Sequence, residues 1–176
     1  MAVTAVFPGT FDPIHNGHID IARRAASIFD EVIVAVYDRP LKSLLFPPED
    51  RLQMVREALD GDSRLRVVGY SGLTVEFCRQ AGAQVIVRGL RVFSDFEHEF
   101  RMALANHRLA PQVEVCALVT REEHTFLSST TVREIASLGG KVSSMVPPAV
   151  AAALQRRFRE LGDDGARAVP MTSLRD

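Results

Sequence analysis

The chain of 176 residues is poor in cysteine and has no long apolar run. Its two cysteines, Cys78 and Cys116, are too few for a disulfide framework, and a chain of this length does not need one. We therefore expect both to be buried free thiols in a reducing cytoplasm. No apolar stretch approaches the roughly 20 residues that a membrane helix needs, and the first residues lack the basic start of a signal peptide. The sequence thus predicts a cytoplasmic protein with no membrane partner.

The chain also lacks an excess of charge of either sign. Its 21 basic and 22 acidic residues leave a net charge of −1, which argues against a dedicated nucleic-acid-binding protein. Any anionic ligand must then be bound by a few local cations. With 47% apolar and 24% charged residues, the composition is that of a globular protein. We assign one domain to residues 1–161 and a polar C-terminal tail to residues 162–176, where the helical periodicity ends.

Short apolar runs alternate with helical periods along the chain. Valine-rich runs predict strands buried on both faces, and apolar residues spaced three and four apart predict the helices between them. This alternation predicts a Rossmann-like, doubly wound parallel sheet of five strands, with helices on both faces and a C-terminal helical segment. Ligands of such sheets bind beyond the carboxyl ends of the strands, where the strand order reverses. The predicted strands are Ala2–Phe7, Val32–Val36, Arg66–Tyr70, Gln84–Val87 and Val113–Val119.

The motif with the most candidate functional residues follows the first predicted strand and runs from Phe7 to His18. A strand, a tight turn and a helix start come in direct succession, so free backbone N–H groups and the positive end of a helix dipole point to one place. His15 and His18 lie three residues apart at this anion site and can donate to phosphate oxygens. Gly17 allows a close backbone approach, and Asn16 is the predicted N-cap. A catalytic zinc site of Asp12, His15 and His18 is the alternative.

Two further segments carry anion-binding groups. Four consecutive hydroxyl residues, 128–131, precede a predicted helix, which Ser129 or Thr130 would cap. A cap explains only one hydroxyl, so we interpret the run as a second helix start that binds an anion. The segment from Arg88 to Arg91 ends a predicted inner strand, and arginine forms bidentate bonds with phosphate. The sequence therefore predicts cations at the sheet edge beside the first motif.

On these motifs the chain resembles the nucleotidylyltransferase superfamily. The T/HxGH motif of that superfamily corresponds to residues 15–18, and its ISSTxxR-like motif to residues 127–133. Within the superfamily the chain is similar, from about residue 3 to residue 161, to the phosphopantetheine adenylyltransferase family. The residues that carry this similarity are Phe7 to Pro13, Lys42, Arg88 to Arg91, Asp95 to Glu99, and Asn106.

The resemblance implies a magnesium-dependent transferase that moves the adenylyl group of ATP onto 4′-phosphopantetheine and yields dephospho-coenzyme A and pyrophosphate. It implies three catalytic residues, which are His18 as transition-state stabiliser, Lys42 and Arg91. It implies an acceptor site of Thr10, Lys42, Thr74, Arg88 and Asn106. It implies an ATP site of Gly9, Thr10, Phe11, His18, Gly89, Leu90, Arg91, Glu99, His124, Thr125, Phe126, Leu127, Ser128, Ser129 and Thr130.

The resemblance also implies how these residues divide the work. His18 would contact the α-phosphate as its charge grows, and Lys42 and Arg88 would hold the attacking phosphate. Arg91 would hold the β- and γ-phosphates of ATP, and Glu99 would face the ribose. The magnesium ligands stay unassigned. A homohexamer is implied in the same way, with coenzyme A as a candidate feedback ligand, although the apolar helix stripes alone could all be covered within one domain.

Two alternatives stay open. One is a nucleotidylyltransferase acting on another phosphate, such as nicotinamide mononucleotide or glycerol phosphate. The segment from Arg88 to Arg91 and the short chain favour pantetheine over these acceptors. The other is a nucleotide-binding module without activity, against which the intact His15 and His18 argue.

Overall fold

The computed structural model, which describes residues 2–38 and 44–162, contains a parallel sheet of five strands. In chain order these are β1 (Thr4–Gly9), β2 (Glu31–Tyr37), β3 (Leu65–Tyr70), β4 (Val85–Leu90) and β5 (Glu114–Val119). Their order in space is β3-β2-β1-β4-β5, so it reverses between β1 and β4. Every strand lies within about three residues of its predicted bounds, and the predicted fold class is confirmed.

The helices fall where the apolar periodicity predicts them. They are α1 (Asn16–Ala26), α2 (Pro48–Ala58), α3 (Thr74–Ala81), α4 (Phe93–Leu109), α5 (Ser129–Ser137) and α6 (Pro148–Leu161), with a 3₁₀ turn at Glu122–His124. Pro48 and Pro148 occupy the first turns of their helices, where a missing N–H breaks no hydrogen bond. Gly162 caps α6. The predicted tail beyond it, residues 163–176, lies outside the described residues, so the domain boundary stays a prediction.

The sheet is covered on both faces because its inner strands alternate between two cores. Along β1, Ala5 and Phe7 face the core shared with α1, α2 and α6. Val6 faces the opposite core, where α3 packs through Val75 and Cys78. Two-sided burial explains why the inner strands are continuous apolar runs rather than alternating ones.

β1 and β4 pair only near their first residues. Their register joins Ala5 to Val85 and Val6 to Ile86, whereas β1 pairs with β2 over its full length. A crevice therefore opens between the carboxyl ends of β1 and β4. This is the reversal point at which a doubly wound sheet binds its ligand.

Helix α4 differs from the expectation that each apolar stripe is covered within the domain. None of its residues is buried. Its apolar residues Phe93, Phe96, Phe100 and Leu104, which are spaced three and four apart, are exposed in the single protomer. Because helices derive most of their stability from packing an apolar face, this face is available for a partner.

The two cysteines are free thiols, as predicted, but only Cys78 is buried. Cys116 is half-buried because its strand, β5, lies at an edge of the sheet, so the prediction of burial is wrong for this residue. Burial raises the pKa of the Cys78 thiol to about 11. Within the described ranges, no helix has the length and apolar character that crossing a membrane requires.

Candidate active site

A cavity of about 420 Å³ lies in the crevice beyond β1 and β4. Residues from all three predicted motifs line it, although they are distant in sequence. The predicted ATP-site residues found in its wall are Gly9, Thr10, Phe11, His18, Gly89, Arg91, Glu99, His124, Leu127, Ser128, Ser129 and Thr130.

A second cavity, of about 340 Å³, adjoins the first. The two share Pro8, Gly9, Thr10 and Arg88 in their walls. The second cavity also contains the predicted acceptor residues Thr74 and Asn106. The sequence-predicted groups thus separate into two adjoining spaces that meet at Thr10 and Arg88.

A few predicted residues are not in the wall of either cavity. Leu90, Thr125 and Phe126 are absent from both linings. Thr125 donates its hydroxyl to the Arg121 carbonyl at 3.3 Å, and the Phe126 side chain is 60% exposed. Lys42 lies outside the described residues, so its predicted role stays a prediction.

The loop after β1 contributes the aromatic ring of Phe11 to the cavity wall. Phe11 has a positive φ of 50°, in the left-handed region, and is almost fully buried. Its ring contacts those of Phe7 and His18 edge-on, with centroids 5.6 and 5.0 Å away. A side chain at Gly9 would meet the Phe11 ring at 2.8 Å, so glycine is required there for space.

The two histidines stack at the start of α1, with ring centroids 3.6 Å apart. His15, not the predicted Asn16, is the N-cap, and its backbone N–H donates to Nδ1 of His18 at 3.3 Å. Asn16 instead donates its amide to the Ser144 carbonyl. Because Nδ1 of His18 is an acceptor, the single proton of its neutral ring is on Nε2. His18 can therefore donate one hydrogen bond to a ligand in the cavity that it lines.

Both imidazoles are neutral at physiological pH. Burial, with the charge of Arg91 and the nearby His124, lowers the pKa of His15 to about 3. Burial also lowers the pKa of His18 well below its ordinary value, with further contributions from His15, Arg91 and Arg88. His18 is thus suited to donate a hydrogen bond rather than to carry a positive charge.

The arginines on either side of Gly89 are each held by a carboxylate of α4. Arg88 donates from Nε and Nη2 to Glu99 at 2.7 and 2.6 Å. Arg91 donates from Nε and Nη2 to Asp95 at 3.0 and 3.1 Å, and from Nη1 to the Leu127 carbonyl at 3.0 Å. Both guanidinium groups are thereby oriented while they line the cavity.

Helix α5 begins at the cavity wall, as predicted, but with another cap. Ser128 accepts the N–H of Thr131 at 3.0 Å, so the predicted caps Ser129 and Thr130 are wrong. Ser129 instead donates to the Pro13 carbonyl at 2.9 Å, which joins α5 to the loop after β1.

The geometry does not support the zinc alternative. Both carboxylate oxygens of Asp12 accept backbone N–H groups, from Leu45 at 2.9 Å and Phe46 at 3.0 Å. In the part of the chain that the structure describes, no three histidine, cysteine or acidic side chains are grouped as metal ligands.

Sequence reasoning missed two buried arginines behind the loop, Arg51 and Arg133. Arg133 donates to the backbone carbonyl of Asp12 and lies 3.5 Å from its carboxylate. Both arginines occur on helices, where this residue type is usually solvated, so no local pattern marks them as buried. The position of Arg133 as the last residue of the second motif was the only available signal.

The parallel fold and the arginine-lined cavity at its reversal point define a nucleotidyltransferase-like α/β protein. A model of the family described as cytidylyltransferase-like matches residues 6–135. The chain is 53% identical over 154 residues to a phosphopantetheine adenylyltransferase of Roseiflexus sp. (strain RS-1), covering 88% of this chain and 96% of the relative. It is 52% identical over 158 residues to the enzyme of that name from Thioalkalivibrio sulfidiphilus (strain HL-EbGR7), covering 90% and 99%. The chain belongs to the phosphopantetheine adenylyltransferase family, within the cytidylyltransferase-like group.

Proposed function

We propose that this protein transfers the adenylyl group of ATP to 4′-phosphopantetheine, giving dephospho-coenzyme A and pyrophosphate in coenzyme A biosynthesis. The observation that carries the proposal is the pair of cavities that meet at Thr10 and Arg88. Such a transfer requires two phosphate-bearing ligands to meet end to end, and Arg88 lies in the wall of both cavities. The relatives' shared name supports the identity of the two ligands.

The reaction is an in-line displacement at phosphorus. An oxygen of the acceptor phosphate forms a bond to the α-phosphorus of ATP, and the bond from that phosphorus to the pyrophosphate oxygen breaks. The nucleophile is already an anion, so the site needs no general base. Catalysis then rests on positioning and on stabilising charge in the transition state. His18 supplies one such donor through Nε2.

The arginines serve different ligands in this proposal. Arg88 lies in the wall of both cavities and binds the acceptor phosphate, together with Thr10 and Lys42. Arg91 lines the first cavity alone and binds the β- and γ-phosphates with the start of α5. Glu99 orients Arg88 in the structure. In this proposal it faces the ribose of bound ATP.

Mg²⁺ enters this scheme as part of the nucleotide. Of the carboxylates in the cavity wall, Asp95 and Glu99 are bound to Arg91 and Arg88, and Asp12 accepts backbone N–H groups. Mg²⁺ in nucleotide sites is commonly held by substrate phosphates and water with few protein ligands. We therefore propose MgATP as the co-substrate, the metal neutralising charge on the phosphates.

The exposed face of α4 supports a homo-oligomer, for which we propose the hexamer of the family. Phe93 is 88% exposed, and Phe96 and Phe100 are about half exposed and stack on each other at 5.9 Å. A contiguous aromatic face of this kind is typical of interfaces between protein chains. The acids of α4 that orient Arg88 and Arg91 lie on the same helix, so assembly would also support the site.

Two further parts of the proposal concern location and control. The free thiols of Cys78 and Cys116 fit a reducing cytoplasm. Coenzyme A shares the pantetheine arm and the adenylyl group with the proposed product, so it is expected to compete for the same two cavities.

Titration calorimetry tests the assignment of ligands. A hydrogen bond to a charged group is worth roughly 1.5–3 kcal/mol, so losing one weakens binding by about ten- to a hundredfold. Arg88→Ala should weaken phosphopantetheine by this factor, and Arg91→Ala should weaken a nonhydrolysable MgATP analogue. If Arg88→Ala weakened only the nucleotide, its assignment to the acceptor would be wrong.

A further inference from the structure

Arg51 is a charged side chain with no contact to solvent. Its exposed fraction is 0%, and it is among the largest fully buried side chains of the described residues. It is the fourth residue of α2 and lies behind the loop that follows β1. Burying a guanidinium is unfavourable unless its donors are satisfied. Nε and Nη1 of Arg51 have acceptors, whereas Nη2 has none within residues 2–38 and 44–162.

Three backbone carbonyls accept hydrogen bonds from Arg51. Nη1 donates to Thr10 at 2.6 Å and to Tyr37 at 2.8 Å, and Nε donates to Phe46 at 3.2 Å. These carbonyls belong to the loop after β1, the end of β2 and the residues that precede α2. No carboxylate of the described residues is within ion-pair distance of the guanidinium. Arg51 therefore acts on backbone, and through it on the cavity wall.

The hydrogen bond from Arg51 to the Thr10 carbonyl also fixes the direction of the Phe11 N–H, because both groups belong to the same peptide plane. In a planar trans peptide the C=O of one residue and the N–H of the next point in opposite directions. The Thr10 carbonyl points at Arg51, so the N–H of Phe11 points away from it. That N–H donates to no acceptor in residues 2–38 or 44–162, and Phe11 lines the cavity.

A second arginine repeats the arrangement two residues further along. Arg133 donates to the carbonyl of Asp12 and is 8% exposed. Arg88 donates to the carbonyl of Pro8 at 3.2 Å from the β4 side. Alternate carbonyls at the end of β1 and in the loop after it, at residues 8, 10 and 12, thus each accept from a different arginine. The positive charge of each arginine offsets the partial negative charge of the carbonyl oxygen that it binds.

We propose that Arg51 is a positioning residue for adenylyl transfer: by holding the Thr10 carbonyl, it aims the Phe11 N–H at a phosphate of the nucleotide. This inference rests on the proposed function. Arg51 does not touch the substrate and acts only through the peptide that it orients. The planar guanidinium reaches three carbonyls at fixed angles, which the single ammonium of lysine cannot do.

The sequence offers a direct probe of this peptide. Threonine is followed by phenylalanine at two places, Thr10–Phe11 and Thr125–Phe126. Protein labelled with ¹³C-carbonyl threonine and ¹⁵N phenylalanine therefore gives two amide signals in a spectrum selective for that pair. Phe126→Leu removes one of them at an exposed position outside both cavity linings and so assigns the other to Phe11.

In the wild-type chain, a nonhydrolysable MgATP analogue should move the Phe11 amide proton downfield, as expected for a new hydrogen bond to phosphate. If calorimetry showed binding while the Phe11 signal stayed in place, the inference would be overturned without any variant of Arg51. If the wild-type chain bound no nucleotide, the proposed function would fail, and this inference with it.

Arg51→Lys tests the role of the side chain itself, with Arg66→Lys as control. Arg66 is a strand arginine whose Nε pairs with Glu31 at 2.7 Å on the surface. A misplaced donor at a reacting group costs about a hundredfold in rate, so kcat of the folded Arg51→Lys enzyme should fall by about that factor. Arg66→Lys should keep kcat within about twofold. If Arg51 were purely structural, Arg51→Lys would lower the melting temperature and leave kcat of the folded fraction unchanged. That result would contradict the positioning role.

Discussion

At the scale of single residues, the site contains groups in which one polar atom is already hydrogen-bonded within the protein. That bond determines which other atom is left to donate to a ligand. Nδ1 of His18 is occupied by a backbone N–H, which leaves Nε2 as the donor. His15 stacks on the same ring and limits its rotation. The loop after β1 shows the same principle, because the carbonyls of Thr10 and Asp12 bind arginines and the Phe11 N–H is left for a ligand.

The first prediction separates the two nitrogens of His18. Asn at this position can keep the acceptor near Nδ1 but has no donor near Nε2, whereas Gln can place an amide N–H near Nε2. Loss of a transition-state donor lowers kcat by about a hundred- to a thousandfold, so His18→Asn should show that loss with little change in KM for ATP. His18→Gln should recover a measurable part of the rate. Equal kcat for wild type and His18→Asn would make His18 a structural residue.

The second prediction concerns stability at mildly acid pH. Unfolded histidine takes a proton near its ordinary pKa of 6.5, whereas folded His15 does so only near 3 and His18 likewise stays neutral. Below about pH 6.5 the unfolded state therefore binds more protons, so the free energy of unfolding falls by about 1.4 kcal/mol per pH unit for each histidine. This contribution is fully present above pH 6.5 and decreases as the pH falls.

Urea denaturation of wild type and His18→Asn between pH 7.5 and 5 measures this slope. The variant should lose about 1.4 kcal/mol per pH unit of the wild-type dependence below pH 6.5. Identical slopes would mean that His18 titrates normally in the folded chain.

The third prediction uses two strand glycines. A Cβ at Gly9 meets the buried Phe11 ring at 2.8 Å, whereas a Cβ at Gly69 meets only the Val36 carbonyl at 4.0 Å. The Phe11 ring is almost fully buried and packs edge-on against Phe7 and His18. Gly9→Ala should therefore destabilise the chain by about 1–3 kcal/mol and weaken nucleotide binding. Gly69→Ala should do neither, and equal melting temperatures for the two variants would refute the close contact.

At the scale of elements, the strands were predictable because strands buried on both faces are continuous apolar runs. The helix caps were less so. His15 is not among the residue types that usually cap helices, and three hydroxyls compete at the start of α5, so preference alone selected the wrong residues. Arg51 and Arg133 were not predictable, because their partners are backbone carbonyls of segments far away in sequence.

Helix α4 gives the fourth prediction. Its apolar stripe predicted a helix but not which partner covers it, since the same spacing serves a core or an interface. Leu104 on α4 and Leu138 after α5 are equally exposed, at 58% and 59%. If α4 forms the interface between copies, Leu104→Glu should disrupt the assembly because it buries an unpaired charge there.

Light scattering measures the outcome. Wild type and Leu138→Glu should scatter as six protomers of 19.4 kDa, and Leu104→Glu as a smaller species. A wild-type chain that scattered as a monomer at micromolar concentration would contradict the oligomer. A Leu104→Glu variant of unchanged mass would move the interface away from α4.

At the scale of the whole molecule, topology explains why the site lies where it does. The strand order reverses between β1 and β4, and the two strands part after two paired positions. Motifs that are more than a hundred residues apart thereby line one crevice. The meeting of the motifs was predictable from the fold class, but the division into two cavities that share Thr10 and Arg88 required the structure.

Pyrophosphate release with a panel of acceptors and nucleotides tests whether the chain transfers the adenylyl group of ATP to 4′-phosphopantetheine. With MgATP, the purified chain should release pyrophosphate when 4′-phosphopantetheine is present, and mass spectrometry should identify dephospho-coenzyme A. Nicotinamide mononucleotide and glycerol phosphate as acceptors, and CTP in place of ATP, should give turnover at least about a hundredfold lower, because each leaves contacts of the two cavities unmade. Equal turnover with any of these substitutes would contradict the account.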